Sequence, residues 1–335
     1  MNKRLNFLDI AKGISIMLVA FGHIVSNESN IIRIWLYSFH MPLFFIISGC
    51  LLNLTNNKRT LREFIMKKIP SLLLPYLSFA IINYFFLMAV AWRGHYLTLQ
   101  LAIDHVVYIF KLCGRSAIWF LPCIFISEVS FKLINENISN FIIKISITTL
   151  IFIIPFFIKA QPDTLLLSLL RSCTAIGFIT VGNYLFNIIT KINLSSLQLV
   201  FIFLVNIFLT YVNGDIDLFE LKFNNPVYYT INSIIGSLAI IFLSKKLNEN
   251  KVFEYYGKNS LIVMGTHIML ITVYNVTLAK IFNSYIPTFY SYAYPIIALI
   301  TVISFEYGVI YFFNTYLGFL LGKHKKKQEY VNLSV

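Results

Sequence analysis

Apolar runs of about 20 residues fill most of the chain, and short polar connectors separate them. Because a helix needs ~20 apolar residues to cross a bilayer, each run predicts one transmembrane helix. The predicted spans are about 8–26, 35–54, 70–91, 117–134, 141–158, 168–189, 197–212, 228–244, 259–279 and 287–316. The pattern therefore predicts an all-α, polytopic membrane protein with about ten helices, forming a single membrane-embedded domain over residues 1–335.

The stretch between the third and fourth spans, residues 92–116, keeps helical apolar spacing but is more polar than a span. It carries Asp104, His105 and Lys111. We interpret it as an amphipathic helix at the outer membrane surface. If it crossed the membrane, every later span would be inverted and the basic connectors near the C-terminus would lie outside, against the charge distribution.

Charge bears on the topology of this arrangement. The chain has 58% apolar and 12% charged residues and a net charge of +13, whereas soluble domains average about 25% charged residues. The basic residues cluster in the connectors 55–69 and 245–258 and in a tail at about 322–335. This pattern is typical of cytoplasmic loops. We therefore expect both termini to be cytoplasmic, and we expect membrane lipids rather than nucleic acid beside these charges.

The four cysteines lie in or beside apolar runs, and no two of them have CxxC spacing. They are Cys50, Cys113, Cys123 and Cys173. Buried cysteines of this kind usually act as small hydrophobic side chains. With no cluster of cysteine and histidine, we expect no metal site. The chain also has no GxxxxGK phosphate loop, so the sequence gives no indication of an ATP-driven pump.

Three ionisable residues interrupt the first apolar run, LDIAKGISIMLVAFGH: Asp9, Lys12 and His23. A helix turns ~100° per residue, so the step from Lys12 to His23 is three turns plus ~20°, and both lie on one face, ~16 Å apart along the axis. Asp9 falls within ~60° of both and is one turn from Lys12, where an ion pair is available. Because a charge facing lipid costs at least ~2.5 kcal/mol, this column predicts a polar interior or a ligand.

Lys12 and His23 also form a second pattern, a basic residue followed by ten residues and then histidine. Four further blocks follow in order: FHMPLFFIISG at 39–49, LLPY at 73–76, WFLP at 119–122, and GKNSL at 257–261 with His267 behind it. Together, over about residues 4–325, these blocks resemble the membrane-bound acyltransferase family 3. The family often has Arg-x-x-Arg before the LLPY block, where this chain has Lys68 and Ser71.

The resemblance implies an enzyme of the bacterial inner membrane that moves an acyl group to a hydroxyl. The donor implied is cytoplasmic acetyl-CoA, used as a substrate, with no bound cofactor. The acceptor implied is a sugar or glycan, free or lipid-linked, such as an O-antigen or exopolysaccharide. The chain resembles the short stand-alone members, which include enzymes that acetylate fucose or related sugars. Two alternatives stay open: transfer of succinyl, for which Arg33 or Arg115 would supply a cation, and a secondary transporter or exporter.

The resemblance also implies roles for residues at the two ends of the first span. His23 is predicted to be the general base, since an imidazole with a pKa of about 6.5 suits proton transfer near neutral pH. Asp9, placed with it in the catalytic set, would orient Lys12. Lys12, Lys67 and Lys68 would attract the phosphates of CoA. A pantetheine arm entering from the Lys12 end would then present its thioester deep in the bundle, where an acceptor from outside meets it.

Four further residues are predicted to bind the acceptor or to stabilise the oxyanion. They are His40, Arg115, Trp119 and His267. His40 precedes Pro42 and would either bind acceptor or satisfy the backbone that the proline interrupts. Trp119 would either stack on a sugar or lie at the membrane interface. Glu128 and Arg171 lie inside predicted spans, where charged residues are candidates for a functional role. An ion pair of Glu128 with an arginine or a lysine inside the bundle is an equally good interpretation.

Overall fold

The computed structural model describes residues 5–25, 30–55, 59–114, 116–285 and 287–322, without the side chains of 282, 283, 285 and 287–292. These residues form fifteen α-helices and no β-strand; the one extended pairing among them is the bridge between Asp217 and Lys222. The all-α prediction is confirmed. The predicted tail, 323–335, lies outside the described residues.

The helices follow one another with short connections. They are α1 (Asn6–Ile24), α2 (Ile31–Tyr37), α3 (His40–Thr55), α4 (Leu61–Lys68), α5 (Leu74–Arg93), α6 (Leu99–Phe110), α7 (Phe120–Asn137), α8 (Phe141–Ile153), α9 (Leu165–Lys191), α10 (Ser196–Asn213), α11 (Pro226–Leu247), α12 (Lys251–Lys258), α13 (Ser260–Val276), α14 (Leu278–Tyr285) and α15 (Pro287–Tyr316). A π-helical turn, Ile69–Leu73, joins α4 to α5, and a 3-10 turn, Ser116–Trp119, leads into α7.

Nine helices in the described part of the chain are long and apolar enough to cross a membrane, which agrees with a polytopic membrane protein. The difference from ten lies in the predicted fifth span, where the apolar helix is shorter and runs over Phe141–Phe156. Its last turn is a 3-10 turn containing Pro155. The predicted amphipathic segment is α6, whose 12 residues are too few to cross a bilayer.

Glycines bring helix backbones into direct contact around α1 and α3. A Cβ added at Gly257 would lie 1.8 Å from the carbonyl oxygen of Asp9, and one added at Gly13 would lie 1.9 Å from that of Phe253. In the same way, Gly49 and Gly182 let α3 and α9 touch. No side chain fits at these distances. The GKNSL block therefore fixes α12 against the start of α1, where the first ionisable residues lie.

Candidate functional site

A cavity of about 200 Å³ lies at the end of the bundle where α1 finishes and α3 begins. We name it the histidine cavity. The residues of its wall that carry functional groups are His23, Tyr37, His40, Ser116, Trp119 and Asp217, with Phe219 beside them. They come from three helices, from the 3-10 turn before α7, and from the loop between α10 and α11. Residues as far apart in the sequence as Val19 and Ile268 thus line one cavity.

Aromatic rings surround His23 inside this cavity. The ring centroids of His23 and His267 are 5.3 Å apart, and those of Tyr37 and His40 are 4.8 Å apart. Tyr37 also meets His23 edge-on at 6.2 Å. His267 is fully buried, whereas His23 is half-buried at the cavity wall. His23 therefore has both access to the cavity and a second imidazole behind it.

Hydrogen bonds to backbone carbonyls assign the tautomers of two of these rings. His40 Nδ1 is 2.7 Å from the oxygen of Leu36, and His267 Nδ1 is 2.6 Å from that of Val263. Because a carbonyl oxygen only accepts, each Nδ1 carries the proton and each neutral ring keeps a lone pair on Nε2. His267 Nε2 is buried with no hydrogen-bond partner in the described part of the chain. Each ring thus keeps a nitrogen able to accept a proton.

The geometry around Pro42 bears on the two readings of His40. A proline at position 42 supplies no N–H for the carbonyl of Ser38 one turn earlier. That carbonyl accepts a hydrogen bond from Ser233 Oγ at 2.6 Å instead. His40 uses its Nδ1 on Leu36 and still lines the cavity. His40 is therefore not required at the Ser38 carbonyl, and its remaining nitrogen is available on the cavity side.

The loop between α10 and α11 covers the histidine cavity, and Arg33 holds it. Arg33 Nη1 is 2.8 Å from Asp215 Oδ1, and Nη2 is 3.4 Å from Asp217 Oδ2. The backbone N–H of Phe219 donates to Asp217 Oδ1 at 2.8 Å. Burial raises the pKa of Asp217, while the Phe219 N–H and Arg33 act in the opposite direction. Because Arg33 is paired twice, it is not the spare cation that a succinyl group would need.

Arg171 holds the same loop from the other side and packs against two aromatic rings. Its Nε donates to the carbonyl oxygen of Phe219 at 2.7 Å. Its guanidinium carbon lies 4.0 Å from the ring centroid of Phe219 and 5.2 Å from that of Trp119. Trp119 is 6% exposed, which is unlike an interfacial anchor and favours a role at the cavity wall. Arg115 lies outside the described residues.

A second cavity, of about 180 Å³, lies further along the bundle, and we name it the lysine cavity. Lys12, Ser48, Glu128 and Ser260 supply its charged and hydroxyl groups. Lys12 Nζ is 3.0 Å from Asp9 Oδ1, as the one-turn spacing predicts. Lys68 Nζ is 2.5 Å from Glu128 Oε2, and Ser48 donates to Oε1 of the same carboxylate. Of the two interpretations open for Glu128, the ion pair is present, and its partner is Lys68.

The two cavities are stacked between the same helices. Both are lined by α1, α3, α13 and the continuous helical segment Ser116–Asn137. Phe44 and Phe120 line the lysine cavity and lie within three residues of Met41 and Trp119, which line the histidine cavity. Their ring centroids are 5.5 Å apart, and each side chain is 6% exposed. We name this pair the aromatic partition. We name the two successive cavities the column; their walls are mostly apolar and carry the few polar groups named above.

The predicted residues divide between the two cavities. His23, His40 and Trp119 line the histidine cavity, and His267 packs against His23. Lys12 lines the lysine cavity. Lys67 is exposed on α4. Asp9 is fourteen residues from His23, or ~21 Å along the helix, so it belongs with Lys12, consistent with the orienting role expected for it.

Several residues of the site were not predicted from the sequence. Tyr37, Asp217 and Phe219 line the histidine cavity, and Ser48 binds Glu128. The acidic connector GDID at 214–217 is a visible signal, but its partner Arg33 is 182 residues away from Asp215. Ser48 lies within the block FHMPLFFIISG. Close helix packing at Ser48 and Gly49 is enough to explain this part of the block, so the sequence gives no sign of the contact with Glu128.

A family model described as an acyltransferase domain, that of acyltransferase family 3, matches residues 5–321. The match covers nearly the whole chain, so the chain belongs to this family. Neither a curated protein nor a solved structure matches it. Together with the nine candidate spans, the match identifies a multi-pass membrane acyltransferase.

Proposed function

We propose that this membrane acyltransferase moves an acetyl group from acetyl-CoA to a hydroxyl of a sugar or glycan, with His23 as the general base. The observation that carries the proposal is the column, in which a cavity lined by Lys12 and a cavity lined by His23 and His40 follow one another between the same four helical segments. Such a column suits a donor and an acceptor that arrive from opposite ends. The membrane implied is the bacterial inner membrane, with the Lys12 end toward the cytoplasm.

The reaction follows from the chemistry of the histidine cavity. A nitrogen of His23 takes the proton of the acceptor hydroxyl, and the oxygen attacks the thioester carbonyl carbon. The C–S bond of the thioester breaks and the new ester bond forms. CoA leaves as a thiolate, and the proton stays on the imidazolium of His23. His267 packs against His23 and holds its ring in place while the proton and the acetyl group are transferred. Tyr37 lines the same space, where its hydroxyl would donate a hydrogen bond to the oxyanion. The Nε2 lone pair of His40 would accept a hydrogen bond from the acceptor sugar.

Lys12 is the main residue proposed to bind the phosphates of CoA at the donor end of the column. Its ammonium is partly exposed, at 22% of the side chain, and Asp9 holds it at the wall of the lysine cavity. A lysine of this kind attracts phosphate as a point charge. Lys67, exposed on α4, would add to the attraction. The pantetheine arm would then pass the aromatic partition to bring its thioester near His23.

Proteoliposomes loaded with the full-length protein and isotope-labelled acetyl-CoA test this function, together with mass spectrometry of glycans from cells that lack the gene. Wild type should add labelled acetyl to a glycan. His23→Asn should abolish the increment at equal membrane levels. His95→Asn is the matched control, since His95 is exposed and lines neither cavity. Acetylation by the His23→Asn protein would remove His23 as the base, and no acetyl increment with wild type would contradict the function.

A further inference from the structure

A third cavity adjoins the histidine cavity and is mostly apolar. It has a volume of about 270 Å³ and lies between α5, α6 and α13. We name it the α5–α6 groove. Its wall includes Tyr84, Leu87, Ile109 and Met269. Tyr84 and Leu87 are half-buried, between the exposed α5 residues Ile81, Phe85 and Ala89, so the groove lies near the lipid-facing side of α5.

The outer wall of the groove is the amphipathic helix α6. Leu99 and Phe110, at its two ends, are 78% and 80% exposed. Apolar side chains exposed on a short helix of a membrane protein point to burial in the boundary region of the bilayer. The groove therefore lies between the bilayer and the bundle, at the same end as His23.

Ser116 joins the groove to the histidine cavity. Ser116 and Ile268 line both spaces. Ser116 Oγ is buried with no hydrogen-bond partner in the described ranges, and a buried hydroxyl without a partner costs free energy. The residue also has φ = 68°, a left-handed conformation that is uncommon outside glycine and recurs at functional sites. A polar group of a bound molecule at this junction would satisfy the hydroxyl.

From these three observations we infer that the acceptor is a glycan attached to a long hydrocarbon chain. The chain lies in the α5–α6 groove, the polar linkage passes Ser116, and the sugar reaches His23. This inference rests on the proposed function and names its substrate class. A water-soluble sugar would use only the histidine cavity, whereas a lipid-borne one accounts for a mostly apolar space that shares Ser116 and Ile268 with it.

The binding test uses the full-length protein in nanodiscs and a long-chain polyprenyl phosphate that carries a photoreactive diazirine on the chain. Cross-links should map to residues 83–90, 105–109 and 268–272. Leu87→Trp fills the groove and should lower this labelling roughly tenfold or more. This factor is the affinity that is lost when about two methylene groups of the hydrocarbon chain are no longer buried there. Phe85→Trp is the matched control, because Phe85 points outward with 65% exposure.

Two further probes distinguish the sources of the hydrocarbon. A photoreactive diacylglycerol-linked sugar tests a glycolipid acceptor, and whichever probe labels the groove more strongly identifies the carrier. A photoreactive phosphatidylcholine that labels the groove as strongly as either would show ordinary bilayer lipid only, which overturns the inference. Protection of the groove by a long-chain acyl-CoA alone would assign it to the donor and would also overturn it.

An activity test separates this inference from the proposed function. Labelled acetyl should enter the lipid-extractable glycans, and Leu87→Trp should lose that increment while Phe85→Trp keeps it. Acetylation of water-soluble glycans alone, at an equal rate in Leu87→Trp, would refute the lipid-borne acceptor and leave the O-acetyltransferase function standing. Specific groove labelling without acetyl transfer to any glycan would refute the function and leave a polyprenyl site.

Discussion

Replacing Lys68 with methionine separates two roles for this residue, a charge that binds the donor and a structural ion pair. The side chain of Glu128 is 5% exposed and that of Lys68 is 25% exposed, and their charged atoms are 2.5 Å apart. Ser48 donates to the second oxygen of the carboxylate. The contact therefore joins α3 and α7 to the end of α4, at the wall of the lysine cavity.

The magnitude follows from the burial of Glu128. Removing one partner of a buried ion pair costs about 3–5 kcal/mol, because the remaining charge stays out of water. Since Lys68 is one-quarter exposed, we expect the low end of that range, about 3 kcal/mol. The double variant Lys68→Met/Glu128→Gln should recover more than half of the loss, because no charge is left behind.

The assay compares the apparent Tm of the purified protein in nanodiscs with its KM for acetyl-CoA. Lys68→Met should lower Tm by several degrees and leave KM nearly unchanged. Lys67→Met is the control, since the neighbouring lysine is exposed and its loss should leave Tm as in wild type. If Lys68→Met instead keeps the wild-type Tm and raises KM about tenfold, a loss of roughly 1.4 kcal/mol, the structural reasoning is wrong and Lys68 binds the donor.

Three other changes probe the rest of the column. Lys12→Met should raise KM for acetyl-CoA more than KM for the acceptor, measured by varying each substrate in turn; equal effects on both would contradict a donor role. Phe44→Ala opens the aromatic partition and should increase acetyl-CoA hydrolysis measured without acceptor, whereas an unchanged rate would show that the rings do not separate the substrates. Burial raises the pKa of Asp217, so the folded state holds this proton more tightly than the unfolded one, and stability falls as pH rises from the unfolded value of ~3.9 toward the folded one. Asp217→Asn should flatten this fall in a series of Tm measurements against pH, and an identical slope would refute the assignment.

Periodicity predicted the parts of the molecule that depend on one helix at a time. The spacing of Lys12 and His23 indicates that both lie on one face of α1. In the structure, Lys12 lines the lysine cavity and His23 lines the histidine cavity. The one-turn spacing of Asp9 and Lys12 likewise predicted their ion pair. The predicted span at 141–158 is shorter in the structure because Pro155 ends its regular helix, and a hydropathy pattern alone does not register that end.

Contacts between distant segments are what the sequence could not supply. The sequence offers Arg33 as a possible cation for a succinyl group, yet in the structure Arg33 binds Asp215 and Asp217 across the fold. From the sequence, Trp119 could either anchor the protein at the membrane interface or stack on a sugar. In the structure it packs against Arg171 and Phe219 and is buried at the cavity wall. Such pairings depend on tertiary packing, which a single sequence does not encode in its periodicity.

The site is therefore built in two parts of different origin. The helices that carry the family blocks supply the column of Lys12, the aromatic partition and His23, and glycine contacts such as Gly257 against Asp9 fix their spacing. The loop between α10 and α11 lines the histidine cavity and is held by Arg33 and Arg171 through its carboxylates and backbone. Because loops tolerate sequence change far better than backbones in contact, the proposed function predicts that changes in acceptor preference arise from this loop, while the proposed proton transfer at His23 is kept.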